Sequence, residues 1–191
     1  FSVETSLVGR HNMINCLACI AAAKKIGIRN QDIVAALRNF SGVKRRQEVR
    51  GCRNQVTVMD DFAHHPTAVK ETIAAVKPFY ADGRVIAVFE PRTNTSMRHF
   101  FQTTYPEAFC DADVVCICQP EVKKPIPDNE KFSTTQLVAD LENLGIEAYH
   151  FENTEALIRF LTPFVKPKDL VLIMSNGGFN NIHTRLLASI G

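Results

Sequence analysis

Val56-Thr57-Val58-Met59-Asp60-Asp61-Phe62-Ala63-His64-His65-Pro66-Thr67-Ala68-Val69 decides the fold of this chain. A β-branched apolar run of strand type passes through the seven residues Asp60 to Pro66 into a helical pattern beginning at Thr67. Two carboxylates and two imidazoles therefore stand at a strand-to-helix junction. In open parallel α/β sheets ligands bind at the carboxyl ends of strands, which gives these four groups a chemical setting. A carboxylate there can accept from both hydroxyls of a ribose, and an imidazole can meet phosphate or metal-bound water. The alternative is an Asp cap and two surface histidines ahead of a helix-starting proline. The seven residues alone leave both open.

Outward from this junction, strand and helix patterns alternate from residue 47 to the end. Strands are expected over 47–51, 55–60, 84–89, 113–118, 146–150 and 169–174. Helices are expected over 67–78, 96–110, 133–144, 154–163 and 179–189. The fold class is α/β, a Rossmann-like and mostly parallel sheet with helices on both faces. The first two strands, joined by Cys52-Arg53-Asn54, make an edge hairpin. Pro120 to Lys131, with three prolines and three lysines, reads as an exposed loop.

Ahead of this unit lie two helical patterns. Met13, Ile14, Leu17, Ala18, Ala21, Ala22 and Ile26 keep a helical period that Gly27 ends, and a second helix starts at Asn30 as its cap. Ser41-Gly42-Val43-Lys44-Arg45-Arg46-Gln47-Glu48 then forms a turn and a basic cluster, where a domain boundary is placed. Three strand ends are polar: Asp60 to Pro66, Glu90-Pro91-Arg92-Thr93-Asn94-Thr95-Ser96, and Ser175-Asn176-Gly177-Gly178-Phe179-Asn180-Asn181. A parallel sheet gathers such ends on one edge, so topology alone points to a site.

Composition narrows the function classes. The 191 residues can bury roughly 70% of their unfolded surface. Hydrophobic residues make up 46% and charged residues 22%, an ordinary soluble balance. A net charge of +2 gives no basis for nucleic acid or a membrane surface. No run reaches the about 18 apolar residues of a membrane span. The six cysteines keep no metal-ligand spacing; Cys16 and Cys19 form a C-x-x-C inside a helix, without a second pair. They read as buried hydrophobes in a reducing compartment, with no metal site expected. The chain opens at Phe1 without a secretory signal and reads as a piece of a longer protein.

Four segments, in order, resemble the Mur ligases, the ATP-dependent amide-forming enzymes of peptidoglycan assembly. Gly9-Arg10-His11-Asn12-Met13-Ile14-Asn15 resembles the family's G-x-H-N-x-x-N. Asp60-Asp61-Phe62-Ala63-His64-His65-Pro66-Thr67 is similar to the muramate-specific D-D-Y-A-H-H-P-T, with Phe62 where Tyr is usual. Phe89-Glu90-Pro91-Arg92-Thr93-Asn94-Thr95 and Met174-Ser175-Asn176-Gly177-Gly178-Phe179 look like the branch that joins a tripeptide. In the L-alanine-adding branch a His-Arg pair would follow the proline, where Arg92 and Thr93 stand here.

The resemblance implies residues 1–42 as the end of a central ATPase domain with its hinge, and 43–191 as a complete C-terminal domain. It implies ATP and Mg²⁺ as cofactors, held mainly elsewhere, because the G-x-x-G-K-[ST] phosphate loop is absent. The chain alone is not expected to use ATP, and two readings stay open beside this one: the L-alanine-adding ligase of the same family, and a non-catalytic Rossmann-like module that binds a nucleotide or peptide. The implied substrates are UDP-N-acetylmuramate and L-alanyl-γ-D-glutamyl-meso-diaminopimelate, the compartment is the cytoplasm, and the partner is the rest of the same polypeptide. His11, Asn12 and Asn15 match the adenine-contacting positions, Asp61 the ribose carboxylate, and Arg46 or Arg45 a phosphate ligand. His64 matches the histidine near phosphates and amine. Arg92, Asn94, Thr95, Arg98, Ser175, Asn176 and Gly177 match the amine-substrate region. Asp60 is expected to be a strand-end carboxylate with a structural partner. His65, His99, His150 and His183 are expected to serve surface or packing.

Overall fold

The computed structural model describes residues 1–93, 96–120, 127 and 130–191. It contains two compact units, Phe1–Lys44 and Arg45–Gly191.

The first unit holds α1 (Arg10–Lys25) and α2 (Asn30–Asn39). Helix α1 stops where the periodicity predicts. Gly27 takes φ +87°, and the amides of Gly27 and Ile28 return to the carbonyls of Lys24 and Ala23. That αL glycine closes the helix with paired backbone bonds. Asn30 is not the cap of α2. Arg29 stands there in extended backbone, and the Asn30 side chain accepts from Lys24 Nζ at 2.8 Å. Cys16 and Ile33 are buried, whereas Met13, Ile14, Leu17, Ile26, Ile28 and Phe40 are exposed.

The second unit contains β1 (Glu48–Arg53), β2 (Val56–Asp61), α3 (Pro66–Val76), β3 (Val85–Phe89), α4 (Tyr105–Ala108), β4 (Val114–Cys118), α5 (Thr134–Asn143), β5 (Glu147–Phe151), α6 (Thr154–Phe164), β6 (Leu170–Met174) and α7 (Ile182–Ile190). The six-stranded sheet runs β1-β2-β6-β3-β4-β5. Only β1 is antiparallel, paired with β2 through a hairpin. Its turn is Asn54-Gln55, both at positive φ, so the strand extends through Arg53 rather than ending ahead of Cys52.

Fully buried strands explain the unbroken apolar runs. In β3, Val85, Ala87 and Phe89 face one side, with Val69 and Ile73 of α3 and Leu137 and Leu141 of α5. Ile86 and Val88 face the other, with Leu157 and Leu161 of α6 and Ile182 and Leu186 of α7. Each such aliphatic side chain, fully buried, contributes about 1.5–3 kcal/mol. Cys16, Cys116 and Cys118 are buried, but Cys19, Cys52 and Cys110 are exposed, so the cysteine expectation holds for half of them. Burial pushes the Cys118 thiol up to about 12, which leaves it an inert core group.

The expected helix over 96–110 is replaced by turns, a 3-10 segment at His99–Phe101 and the four-residue α4. Thr93 and Ser96 bond each other's side chains and amides. Arg98 pairs with Lys131 in an isolated antiparallel bridge. Pro106 then lacks the N–H that a through-running helix needs and disfavours helical backbone before it. The end of the chain is similarly interrupted: Phe179, Asn180 and Asn181 are all left-handed, and α7 starts only at Ile182. The expected loop from Pro120 to Lys131 falls largely outside the described residues.

Candidate functional site

Parallel β2, β6 and β3 are neighbours in register, so Asp61, Met174 and Phe89 end together. The three polar segments after them share one sheet edge, as expected from topology. The Ser175 amide donates to the Asp61 carbonyl at 3.2 Å and the Glu90 amide to the Met174 carbonyl at 3.1 Å, continuing the ladder past the strands.

At the β3–β6 corner, Ser175 Oγ donates to Glu90 Oε2 at 2.7 Å, and the Gly177 amide donates to Ser175 Oγ at 3.0 Å. Glu90 is only 5% exposed. Arg92 Nη1 lies 3.7 Å from the same carboxylate oxygen, which orients the guanidinium. The Arg92 side chain crosses Gly177 so closely that a Cβ there would stand 2.4 Å from Arg92 Cδ. Glycine at 177 thus makes room for the arginine. Asn176 Oδ1 is buried without a hydrogen-bond partner among the described residues. Such an acceptor is costly unless a water or a ligand donor fills it.

At the β2 end, Asp61 is 3% exposed and each oxygen takes one backbone amide: Ala63 on Oδ1 at 2.7 Å and Gln47 on Oδ2 at 2.8 Å. Burial raises its carboxyl above the usual value, against those two hydrogen bonds and the charge of Arg46. Asp61 is therefore first a brace for the chain around it, with one lone pair left on each oxygen.

Asp60 faces the other side of the sheet. Its Oδ2 lies 3.5 Å from Arg45 Nε and its Oδ1 lies 3.3 Å from His183 Nε2. Burial raises this carboxyl, but contact with His183 and the charges of Arg45 and Arg50 outweigh it, and the net shift is downward. Asp60 has the structural partners expected of it. His183 is the residue that sequence reasoning missed: it comes from α7, far along the chain and outside any motif. Only its helical phase, one residue after Ile182 and three before Leu186, placed it toward the core.

His64 Nδ1 lies 2.9 Å from the Phe62 carbonyl. A carbonyl only accepts, so Nδ1 carries a proton and donates to it, which leaves Nε2 as the ring nitrogen free of this bond. The His64 carbonyl takes the Tyr105 hydroxyl at 2.5 Å, and burial pushes that phenol well up. His65 caps α3, its Nδ1 accepting from the Thr67 amide at 3.3 Å while its ring meets Phe101 edge-on. Arg45 and Arg46 lie over the Phe62 ring at 5.2 and 5.1 Å, with Arg46 exposed. Arg98 is ion-paired with Glu130, and His150 Nε2 lies 3.0 Å from Thr134 Oγ1. His99 is exposed and stacks on Phe100. Asn94 and Thr95 lie outside the described residues.

A cavity of about 40 Å³ lies at the ends of β3 and β4, lined by Pro91, Met97, Gln119, Pro120, Phe132 and Thr134. That is room for about three waters, too little for a peptide on its own. In the first unit, His11 and Asn12 are half-buried and Asn15 exposed on α1. His11 Nδ1 has no hydrogen-bond partner among the described residues, and Asn12 Nδ2 donates to the Val8 carbonyl at 2.7 Å. Among the described residues no group of three or more His, Cys, Asp or Glu is arranged to hold a metal. No helix of the described residues is long and apolar enough to cross a membrane.

The chain carries a Rossmann-like α/β sheet whose polar loops gather at the carboxyl ends of its parallel strands. Residues 45–177 match the family described as Mur ligase, glutamate ligase domain, and the chain belongs to that family. It is 39% identical over 187 residues to the Escherichia coli UDP-N-acetylmuramate–L-alanyl-γ-D-glutamyl-meso-2,6-diaminoheptandioate ligase, covering 97% of this chain and 38% of that one. It is 35% identical over 179 residues to the Clostridium tetani UDP-N-acetylmuramate–L-alanine ligase, covering 93% and 38%. The crystal structure of a murein peptide ligase from Psychrobacter arcticus 273-4 superposes with a TM-score of 0.71 at 35% identity, covering 99% of this chain and 38% of that one. The chain therefore spans a little under two fifths of the length of these relatives.

Proposed function

We propose that the chain is the amine-substrate-binding, C-terminal portion of a longer cytoplasmic ligase that joins L-alanyl-γ-D-glutamyl-meso-diaminopimelate to UDP-N-acetylmuramate in peptidoglycan recycling. Residues 1–42 belong to a central ATPase domain and its hinge in this reading, and 43–191 form the C-terminal domain. The exposed Met13, Ile14, Leu17, Ile26 and Ile28 support it, since a helix apolar on several sides belongs in a larger core. The observation that carries the reading is the corner at the β3 and β6 ends. Arg92, oriented by Glu90 and crossing Gly177, stands on the same short loop system as the unfilled acceptor of Asn176.

In the reaction, the muramyl carboxylate attacks the γ-phosphorus of ATP and ADP leaves, giving an acyl phosphate. The peptide amine then attacks the acyl carbon, the C–O bond to phosphate breaks, and the amine loses its proton. Mg²⁺, held mainly by the central domain, would supply charge neutralisation on the phosphates. The donor set described here does not fit Mg²⁺, so the chain's residues act around it. Arg46, exposed over Phe62, meets nucleotide phosphate. Asp61 offers its remaining lone pairs to a ribose, and His11, Asn12 and Asn15 meet the base. His64 presents Nε2 near the reacting phosphate and amine. Arg92, with Asn94, Thr95 and Arg98, recognises peptide carboxylates, for which a guanidinium fork gives bidentate bonds. Ser175, Asn176 and Gly177 shape that end of the pocket. Closure over these groups keeps water from the acyl phosphate. The chain alone does not turn over ATP.

The second reading is the L-alanine-adding ligase, favoured by the similarity to the Clostridium tetani protein. Amide formation by the longer polypeptide, followed by mass spectrometry of its product, tests the leading one. Product at the mass of UDP-N-acetylmuramyl-tripeptide, lost or strongly reduced in Arg92→Ala, is the expected result. Its absence overturns the reading.

A further inference from the structure

His183 and Asp60 are two buried titratable groups for which the reaction above has no use. They are 7% and 3% exposed, and their facing atoms, Nε2 and Oδ1, lie 3.3 Å apart. The pair is within ionic reach but not aligned as a hydrogen bond, and neither atom has another partner among the described residues. A carboxylate so placed needs counter-charge. Arg45 supplies it from the other side, with Nε 3.5 Å from Asp60 Oδ2.

The same guanidinium is committed elsewhere as well. Arg45 Nη2 donates to the Ser175 carbonyl at 2.6 Å and the Gly177 carbonyl at 2.7 Å. Two carbonyls of one short loop turn toward a single donor, so one guanidinium nitrogen bridges two points of that loop's backbone. The backbone of Arg45 is equally tied: its amide donates to Glu48 Oε2 at 2.8 Å and its carbonyl accepts from the Phe62 amide at 2.9 Å. Arg45 and Gln47 hold left-handed backbone, at φ 59° and 51°. A non-glycine residue keeps such a conformation where its surroundings over-determine it. Arg46, by contrast, is exposed.

We propose that Arg45 is a positioning residue rather than a phosphate ligand: aligned by Asp60, with His183 behind that carboxylate, it fixes the Ser175–Gly177 loop and so sets Asn176 and the path of Arg92. The link to peptide recognition rests on the ligase reading; the latch itself does not. A lysine would keep the charge but not the planar fork that reaches Asp60 and both carbonyls together.

Amide hydrogen exchange on the 191-residue chain tests the latch. In Arg45→Lys, exchange of the Gly177 amide rises at least tenfold while amides of β4 and α5 keep wild-type rates. His183→Gln gives the same localised change, smaller in size. If Arg45→Lys loses protection throughout, His183→Gln decides, because it leaves the arginine in place. Wild-type exchange at Gly177 in that variant, or loosening spread equally to β4 and α5, overturns the latch. In the longer ligase, Arg45→Lys raises KM for the tripeptide several-fold and leaves KM for ATP unchanged. A raised KM for ATP instead makes Arg45 a phosphate ligand and refutes the assignment. A wild-type ligase without activity refutes the functional reading and leaves the exchange result to decide the latch.

Discussion

Arg92 crosses Gly177 at a distance no side chain would tolerate: a Cβ at 177 would lie 2.4 Å from Cδ and 2.6 Å from Nε. The obstructing atoms belong to a flexible side chain, so Gly177→Ala moves Arg92 rather than breaking the fold. The expected result is a loss of unfolding free energy of no more than about 1 kcal/mol, the centre of the range for single substitutions. In the longer ligase the same variant raises KM for the tripeptide. Thermal denaturation and steady-state kinetics read the two effects separately.

Tyr105→Phe removes one hydroxyl and leaves the ring among Phe89, Phe101, Phe109 and Phe132. The His64 carbonyl loses its donor. Urea denaturation of this variant is expected to show a loss of about 1–3 kcal/mol, the cost of a buried acceptor left unpaired. The His64 ring resonances shift with it, since the backbone that aims the ring is released.

Acid sensitivity follows from carboxylates of opposite sign. Burial raises Asp169, but hydrogen bonds from Arg84 and from the Lys166 and Arg84 amides outweigh it, and the net shift is downward; Asp60 is lowered likewise. A depressed folded value contributes stability that is present above the unfolded value of 3.8 and lost as pH falls through the folded one. Asp61, raised by burial, runs the other way: its contribution is full below 3.8 and declines as pH rises through its folded value. Thermal scans between pH 2 and 7 are expected to show stability falling steeply below about pH 4, the unfolded carboxylate range. Asp169→Asn flattens that acid limb; an unchanged limb contradicts the assignment.

Leu17 and Ile26 are 64% and 76% exposed on the first unit. Leu17→Ser and Ile26→Ser are expected to cost less than about 0.5 kcal/mol in this chain, whereas Leu157→Ala in the core costs about 2–5 kcal/mol. In the longer ligase, where these positions would join a larger core, the serine variants become destabilising. Denaturant midpoints of the two polypeptides make the comparison.

The sheet was legible because its inner strands β2, β3, β4 and β6 are buried on both faces, leaving unbroken apolar runs such as Val85–Phe89 and Leu170–Met174. The polar ends of these runs then gave the edge where Asp61, Glu90 and Ser175 meet. What stayed hidden depends on tertiary pairing. Residues 96–110 carry a helical period, yet the Thr93–Ser96 hydrogen bonds, the Arg98–Lys131 bridge and Pro106 divide them. His183 belongs to no motif, and its partner Asp60 lies 123 positions earlier in the chain, a pairing created only by packing α7 under β2. Arg45 and Arg46 look alike in sequence; the Asp60 contact and the bonds to the carbonyls of Ser175 and Gly177 set Arg45 apart.

The central claim is that this corner belongs to a ligase that takes a tripeptide. Phosphate release by the longer polypeptide, with ATP, Mg²⁺ and UDP-N-acetylmuramate, tests it most directly when L-alanine is compared with L-alanyl-γ-D-glutamyl-meso-diaminopimelate. Release with the tripeptide and not with L-alanine is the predicted result. Release with L-alanine alone, or with neither, contradicts it.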